Sequence, residues 1–310
     1  MSKNKQNMDR NQERVFVRNK HKDLLFQRVF ADKRDMLDLY NALNGTNYTD
    51  IDALSIVTLE DAIYMSIKND LSFIVASTLN LYEHQSTINP NMPLRGLVYL
   101  AKEYRTYYDN SDQSIYSRKL IKLPRPQYII FYNGTEEQPE EKYLRLSDAF
   151  EPAGNGEEPM LECIAKQINI NYGYNQKLLD TCKRLHDYSY FINEIRANIT
   201  EGLILSEAIS QAMDTCIRKE ILVDILSKQR SEVYDMLLTE FDEERYERTL
   251  RQDALEEGIE KGIVKGIEVE KKRLNKLNEI LLSEGRIEDL RKSTVNQEYQ
   301  NQLMKEFGLL

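Results

Sequence analysis

A chain of 310 residues has room for two modest domains, or for one domain with a long appendage. Its 41% hydrophobic and 30% charged residues fit a globular protein, and no apolar run approaches the roughly 18 residues of a membrane span. The polar N-terminus excludes a secretory signal and points to a cytoplasmic protein, while the net charge of −9 runs against a nucleic-acid enzyme, whose affinity normally comes from neutralising phosphates.

Residues 1–20 read as a flexible arm, within a basic zone in which residues 1–35 hold ten Lys/Arg against five Asp/Glu. From Asp23 the pattern LLFQRVFADKRDMLDLYNALNG predicts helix, with Gly45 as its stop. A turn-rich GTNYTDID follows. AIYMSI, LSFIVAS and LYEHQST then predict three short strands of an antiparallel meander, joined by turns at KND and near Ser77-Thr78.

NPNMPLRGLVYLAKEYRTYY predicts an amphipathic helix whose apolar face holds Leu94, Leu97, Val98, Ala101, Tyr104 and Tyr108. Residues 95–125 form a second basic zone, with seven Lys/Arg against three Asp/Glu. QYIIFYNG predicts a fourth strand with Tyr128 and Tyr132 as core aromatics, residues 135–159 an acidic loop, and LECIAKQINI a fifth strand. Helix follows helix from about Asn175 to Phe241. In EEGIEKGIVKGIE, Gly258, Gly262 and Gly266 recur every four residues within a charged helical pattern. Each glycine weakens an exposed helix by about 1 kcal/mol relative to alanine. Close approach of a second helix, either in a homo-oligomer or on another chain, and a flexible charged connector are the two readings of that repeat.

The elements describe an α/β core followed by a helical region. The expected division is an arm over 1–20, a core over 21–172, a helical region over 173–250, and a charged glycine-repeat helix with its tail over 251–310. Cys163, Cys182 and Cys216 are odd in number and contain no CxxC pair, which reads as three reduced thiols rather than a zinc site or disulfide framework. His21, His84 and His186 are scattered and form no ligand cluster.

Chemistry concentrates on the hairpin NDLSFIVASTLNLYEHQS. With a Ser77-Thr78 turn, Asp70 lies opposite Gln85 and Ser72 opposite Glu83. Strand alternation then gathers Asp70, Glu83 and Gln85 on one face. Two carboxylates and an amide suit a hard cation such as Mg²⁺, with Mn²⁺ as an alternative. A cation held this way lowers the pKa of a bound water and stabilises charge on a phosphate oxygen. His84 alternates to the opposite face, as a packed histidine. Arg95 opens the following helix, as a surface residue or a DNA-phosphate contact, and Asn69 shapes the turn before Asp70.

The run KNDLSFIVASTLNLYEHQSTINPNMPLRGLVYLAKEY, followed by LPRPQYIIFYNG, resembles the PD-(D/E)XK nuclease-type transposases, relatives of the recombination-promoting nuclease (Rpn) family. INYGYNQKLLDTC, LHDYSYFINEIR, AISQAMDTCIRKEIL and the glycine helix extend the likeness over roughly residues 20–305. The resemblance implies a restriction-endonuclease-like core, a mixed sheet flanked by helices, ahead of an α-helical C-terminal region. It also implies Mg²⁺-dependent cleavage of DNA phosphodiesters during transposition or recombination, or in defence against foreign DNA. In that superfamily an acid on the second core strand and an acid-x-Lys on the third form the metal site. Matched residue by residue, Asp70 and Glu83 are the metal ligands and Gln85 replaces the lysine, a variation found within this branch. A further acid from the first helix is often added, for which Asp23, Asp35 and Asp38 stand open. The departure at Gln85 also fits a DNA- or partner-binding protein without cleavage, and the helical tail an assembly protein.

Overall fold

The computed structural model describes residues 24–57, 71–110, 115–116, 118–151 and 158–309. The arm, the AIYMSI strand, the KND turn, Asp23, Asn69 and Asp70 lie outside the described residues. The chain divides into two compact units, Met1–Glu244 and Arg245–Leu310.

The first unit is a mixed α/β fold. The opening helical pattern is interrupted, giving α1 (Leu24–Val29) and α2 (Lys33–Asn44). Asp32 takes extended backbone and its carboxylate accepts from the Arg34 N–H at 2.7 Å, starting a new helix where one was expected. Gly45 ends α2 in the left-handed conformation, as predicted.

Among the described residues the sheet has six strands, β1 (Ser55–Ile56), β2 (Leu71–Val75), β3 (Thr78–Gln85), β4 (Arg125–Tyr132), β5 (Glu141–Arg145) and β6 (Ile164–Asn169). Their order is β1-β2-β3-β4-β6-β5. β1 pairs antiparallel with β2 and β2 with β3, β3, β4 and β6 run parallel, and β5 returns antiparallel on the edge. The parallel step from β3 to β4 is made by the predicted helix, α3 (Met92–Asp109).

β5 lies inside the segment expected to be only loop. It is an exposed, charge-rich edge strand, so it carries none of the alternation that marks a half-buried one. The face predicted for α3 is also corrected. Gly96, Tyr99, Leu100 and Glu103 are buried, whereas Leu94 and Ala101 are exposed. Gly96 sets this rotation: a β-carbon there would lie 2.1 Å from Tyr128 Cε1, so the helix backbone sits directly on that ring.

Two apolar layers cover the sheet. On one face Leu71, Phe73, Val75, Tyr82, Ile129, Phe131 and Ile168 pack against α1, α2, α4 (Gln176–Thr181), α5 (Lys183–Thr200), α6 (Leu205–Arg218) and α7 (Val223–Leu226). The start of α8 (Arg230–Ser283) joins this layer through Val233, Leu237 and Phe241. The helices after residue 172 therefore share the sheet's own core. On the other face Leu79, Leu81, Tyr128, Ile130 and Ala165 pack against Met92, Tyr99 and Leu100 of α3.

The second unit holds the rest of α8 with α9 (Ile287–Val295) and α10 (Gln297–Glu306), whose Leu303 and Met304 pack on Leu277 and Leu281. Among the described residues no helix is long and apolar enough to cross a membrane.

Candidate functional site

The hairpin turns one residue earlier than predicted, at Ala76-Ser77. Both residues have positive φ, 50° and 60°, as a two-residue turn twisted with the strands requires. Val75 consequently pairs with Thr78, and Ser72 with Leu81 rather than Glu83. The register differs by two residues, an even step, so every described side chain keeps its predicted face.

β3 is central and covered on both sides, yet Asn80, Glu83, His84 and Gln85 are polar and all are buried. Burying polar groups costs stability unless partners are supplied. His84 faces the apolar layer, as expected of a packed histidine. Its ring stacks on Phe26 at 5.0 Å and its Nε2 lies 2.9 Å from the Tyr188 hydroxyl. Tyr128 and Tyr132 are buried, as predicted.

Glu83 and Gln85 share the face that looks towards α3. The Glu83 carboxylate accepts from Arg95 Nη2 at 3.1 Å, so Arg95 is neither a plain surface residue nor turned wholly to solvent. Its Nη2 and Nε also donate to the Tyr99 hydroxyl at 2.8 and 3.2 Å, one helical turn further on. Burial would lower the pKa of Arg95, but Glu83 and Tyr99 outweigh that and leave it raised, so the guanidinium holds its charge throughout. Met92 is pressed into the same corner, its backbone carbonyl accepting from Tyr128 Oη at 3.2 Å. Gln85 Nε2 rests against Met92 Sδ, and its buried Oε1 has no hydrogen-bond partner among the described residues.

The site lies at the carboxyl ends of the parallel strands, where Gln85 is in register with Tyr132 and Tyr132 with Asn169. Open α/β sheets bind ligands beyond this edge. The Asn133 N–H bonds the Gln85 carbonyl at 2.8 Å. Arg196, from α5, donates to the side-chain oxygens of Asn133 (2.9 Å) and Asn171 (2.8 Å), bringing a second guanidinium to this end. Sequence reasoning missed Arg196 because nothing local distinguishes it from any helical arginine.

Of the remaining helix-borne acids, Asp35 lies 3.5 Å from Arg184 in the opposite layer and Asp38 is exposed. Burial, opposed by Arg184, raises the Asp35 pKa. The three cysteines are buried free thiols.

Among the described residues no three His, Cys, Asp or Glu side chains gather into a metal-binding cluster. The donors that are present at the α3 face, a carboxylate and an amide carbonyl whose oxygen has no hydrogen bond among the described residues, are oxygen ligands. They fit a hard divalent cation and not a soft one. No protein-family model, curated protein or solved structure matches the chain.

Proposed function

We propose that this protein is a divalent-metal-dependent DNA endonuclease with a PD-(D/E)XK-like core, acting in transposition or recombination. The observation that carries the reading is the burial of Glu83 and Gln85 side by side on a central strand, at its carboxyl end, beside the Arg95 guanidinium. A buried carboxylate coupled to a guanidinium at such a strand end is a candidate for a functional site. The order of helix, hairpin, crossover helix and parallel strand also suits the family that the sequence resembles.

Asp70 and Glu83 would hold Mg²⁺ or Mn²⁺, with Gln85 two residues along from Glu83 on the same face of β3. The cation, when bound, would supply a water of lowered pKa and stabilise charge on the phosphate. Gln85 would orient that water or a phosphate oxygen by hydrogen bonding, but brings no charge. Arg95 supplies the missing positive charge from the neighbouring helix, 3.1 Å from Glu83, where developing negative charge on the phosphate benefits most. Two basic zones, 1–35 and 95–125, would give salt-dependent contact with the DNA backbone on an otherwise acidic chain.

A plasmid-nicking assay with Mg²⁺ tests this. Wild-type protein should nick supercoiled DNA, and Asp70→Ala and Glu83→Ala should each abolish nicking. Nicking that survives Asp70→Ala sinks the site assignment. A second reading, DNA or partner binding without cleavage, is favoured by one observation: Glu83 is already neutralised by Arg95. DNA binding without nicking would select it, and neither activity would favour an assembly protein acting through its helical tail.

A further inference from the structure

In the second unit, α9 and α10 fold back on α8 near Leu277 and Leu281 and leave the preceding stretch of α8 uncovered. Leu255, Ile259, Ile263, Val264, Ile267 and Val269 are each between 49% and 64% exposed. Leu255, Ile259, Ile263 and Ile267 follow one another at four-residue spacing and so form a stripe along the helix. A β-carbon added at Gly258, Gly262 or Gly266 would meet nothing within 4 Å, so the backbone beside that stripe is equally bare. A row of large aliphatic side chains in water, next to three glycines that weaken the helix bearing them, is costly in an isolated chain.

The charges say what covers it. Residues 251–260 carry four acids against one base, whereas 261–276 carry six bases against two acids. A second copy running parallel would set like charge beside like charge. Running antiparallel, the acidic half of each helix lies along the basic half of the other, about the glycine repeat as a two-fold centre.

We propose that residues 255–269 of α8 form the interface of an antiparallel homodimer, in which the glycines let the backbones approach and the Leu/Ile stripe fills the seam. The reading is independent of the nuclease site.

Light scattering on the full chain should give the mass of a dimer at micromolar concentration, with dissociation favoured by high salt. Ile263→Glu should raise the dissociation constant at least 100-fold while circular dichroism keeps its helical signal. Gly262→Ala, which strengthens an isolated helix, should weaken the dimer rather than leave it unchanged. Orientation is read by oxidative cross-linking. Mixed Glu256→Cys and Glu268→Cys chains, which the two-fold about Gly262 sets opposite each other, should join to each other, with the three native cysteines buried. A monomer at every concentration overturns the proposal, as does a dimer indifferent to both Ile263→Glu and Gly262→Ala. Cross-linking of Glu256→Cys chains only to one another overturns the antiparallel arrangement.

Discussion

Replacing Arg95 by glutamine removes the guanidinium that faces Glu83 and leaves a polar side chain of similar reach. The ion pair is 3.1 Å long, with the Glu83 side chain only 3% exposed and that of Arg95 41% exposed. Breaking a fully buried pair costs about 3–5 kcal/mol and breaking an exposed one about 0–1 kcal/mol. The half-exposed arginine sets this pair between them, so Arg95→Gln should destabilise the fold by about 2 kcal/mol in urea unfolding. Its effect on cleavage should be larger than that loss implies under conditions where the variant is still folded. Losing one preorganised electrostatic partner of the transition state costs about 10²–10³-fold in rate. The plasmid-nicking assay at saturating Mg²⁺ measures this. Restoring a positive charge from the strand, with the double variant Arg95→Gln/Gln85→Lys, should recover at least tenfold of the lost rate. Wild-type nicking by Arg95→Gln, despite reduced stability, would refute the reasoning and leave the arginine only as a neutraliser of Glu83.

Three further outcomes follow from the same contacts. Gly96→Ala drives a methyl group into the Tyr128 ring, which is itself buried, and should cost about 1–3 kcal/mol in urea unfolding. The Arg184 hydrogen bonds hold the Asp224 carboxyl below the usual range, against an opposing effect of burial. A lowered carboxylate pKa adds stability above the unfolded-state value, and that stability is lost as pH falls through the folded one. Because the Asp224 side chain is 53% exposed, Asp224→Asn should cost only about 0.5–1 kcal/mol at pH 7, with no difference left in strong acid. Burial pushes the Cys182 and Cys216 thiols up to about 11 and about 12, and raises Cys163 as well. A thiol reagent at pH 8 should therefore modify all three only after unfolding, and fast labelling of the native chain would contradict their burial.

Much of this was legible because it rests on local chemistry. Pro93 and the apolar spacing announce α3, Gly45 closes α2, and two-residue alternation separates His84 from Glu83 and Gln85 without knowledge of the register. Ala76-Ser77 was not legible as the turn, since neither residue belongs to the Asn-Gly type that marks tight hairpins. Asp32 was a readable N-cap that the surrounding apolar periodicity masked. The buried face of α3 was misread because counting large apolar residues gives no weight to Gly96, whose missing side chain is what lets the helix seat. For the same reason Arg95 could be named but not its partner. Glu83 is twelve residues earlier on another element, and only the seating of α3 on Tyr128 brings the two together.

The clamping of β3 has a consequence for how such a site could change. Among the described residues five pairs tie the strand to β2 and eight tie it to β4, so sliding it by one position would break both ladders together. Of β3, only Leu79, Leu81, Glu83 and Gln85 address the α3 layer; an acid placed at 82 would be delivered between Phe73 and Phe131, and one at 84 among Phe26 and Tyr188. A new ligand can be recruited at 81 by substitution alone, whereas neighbours in sequence remain on the wrong side of the sheet. The strand can mutate, but it cannot slide.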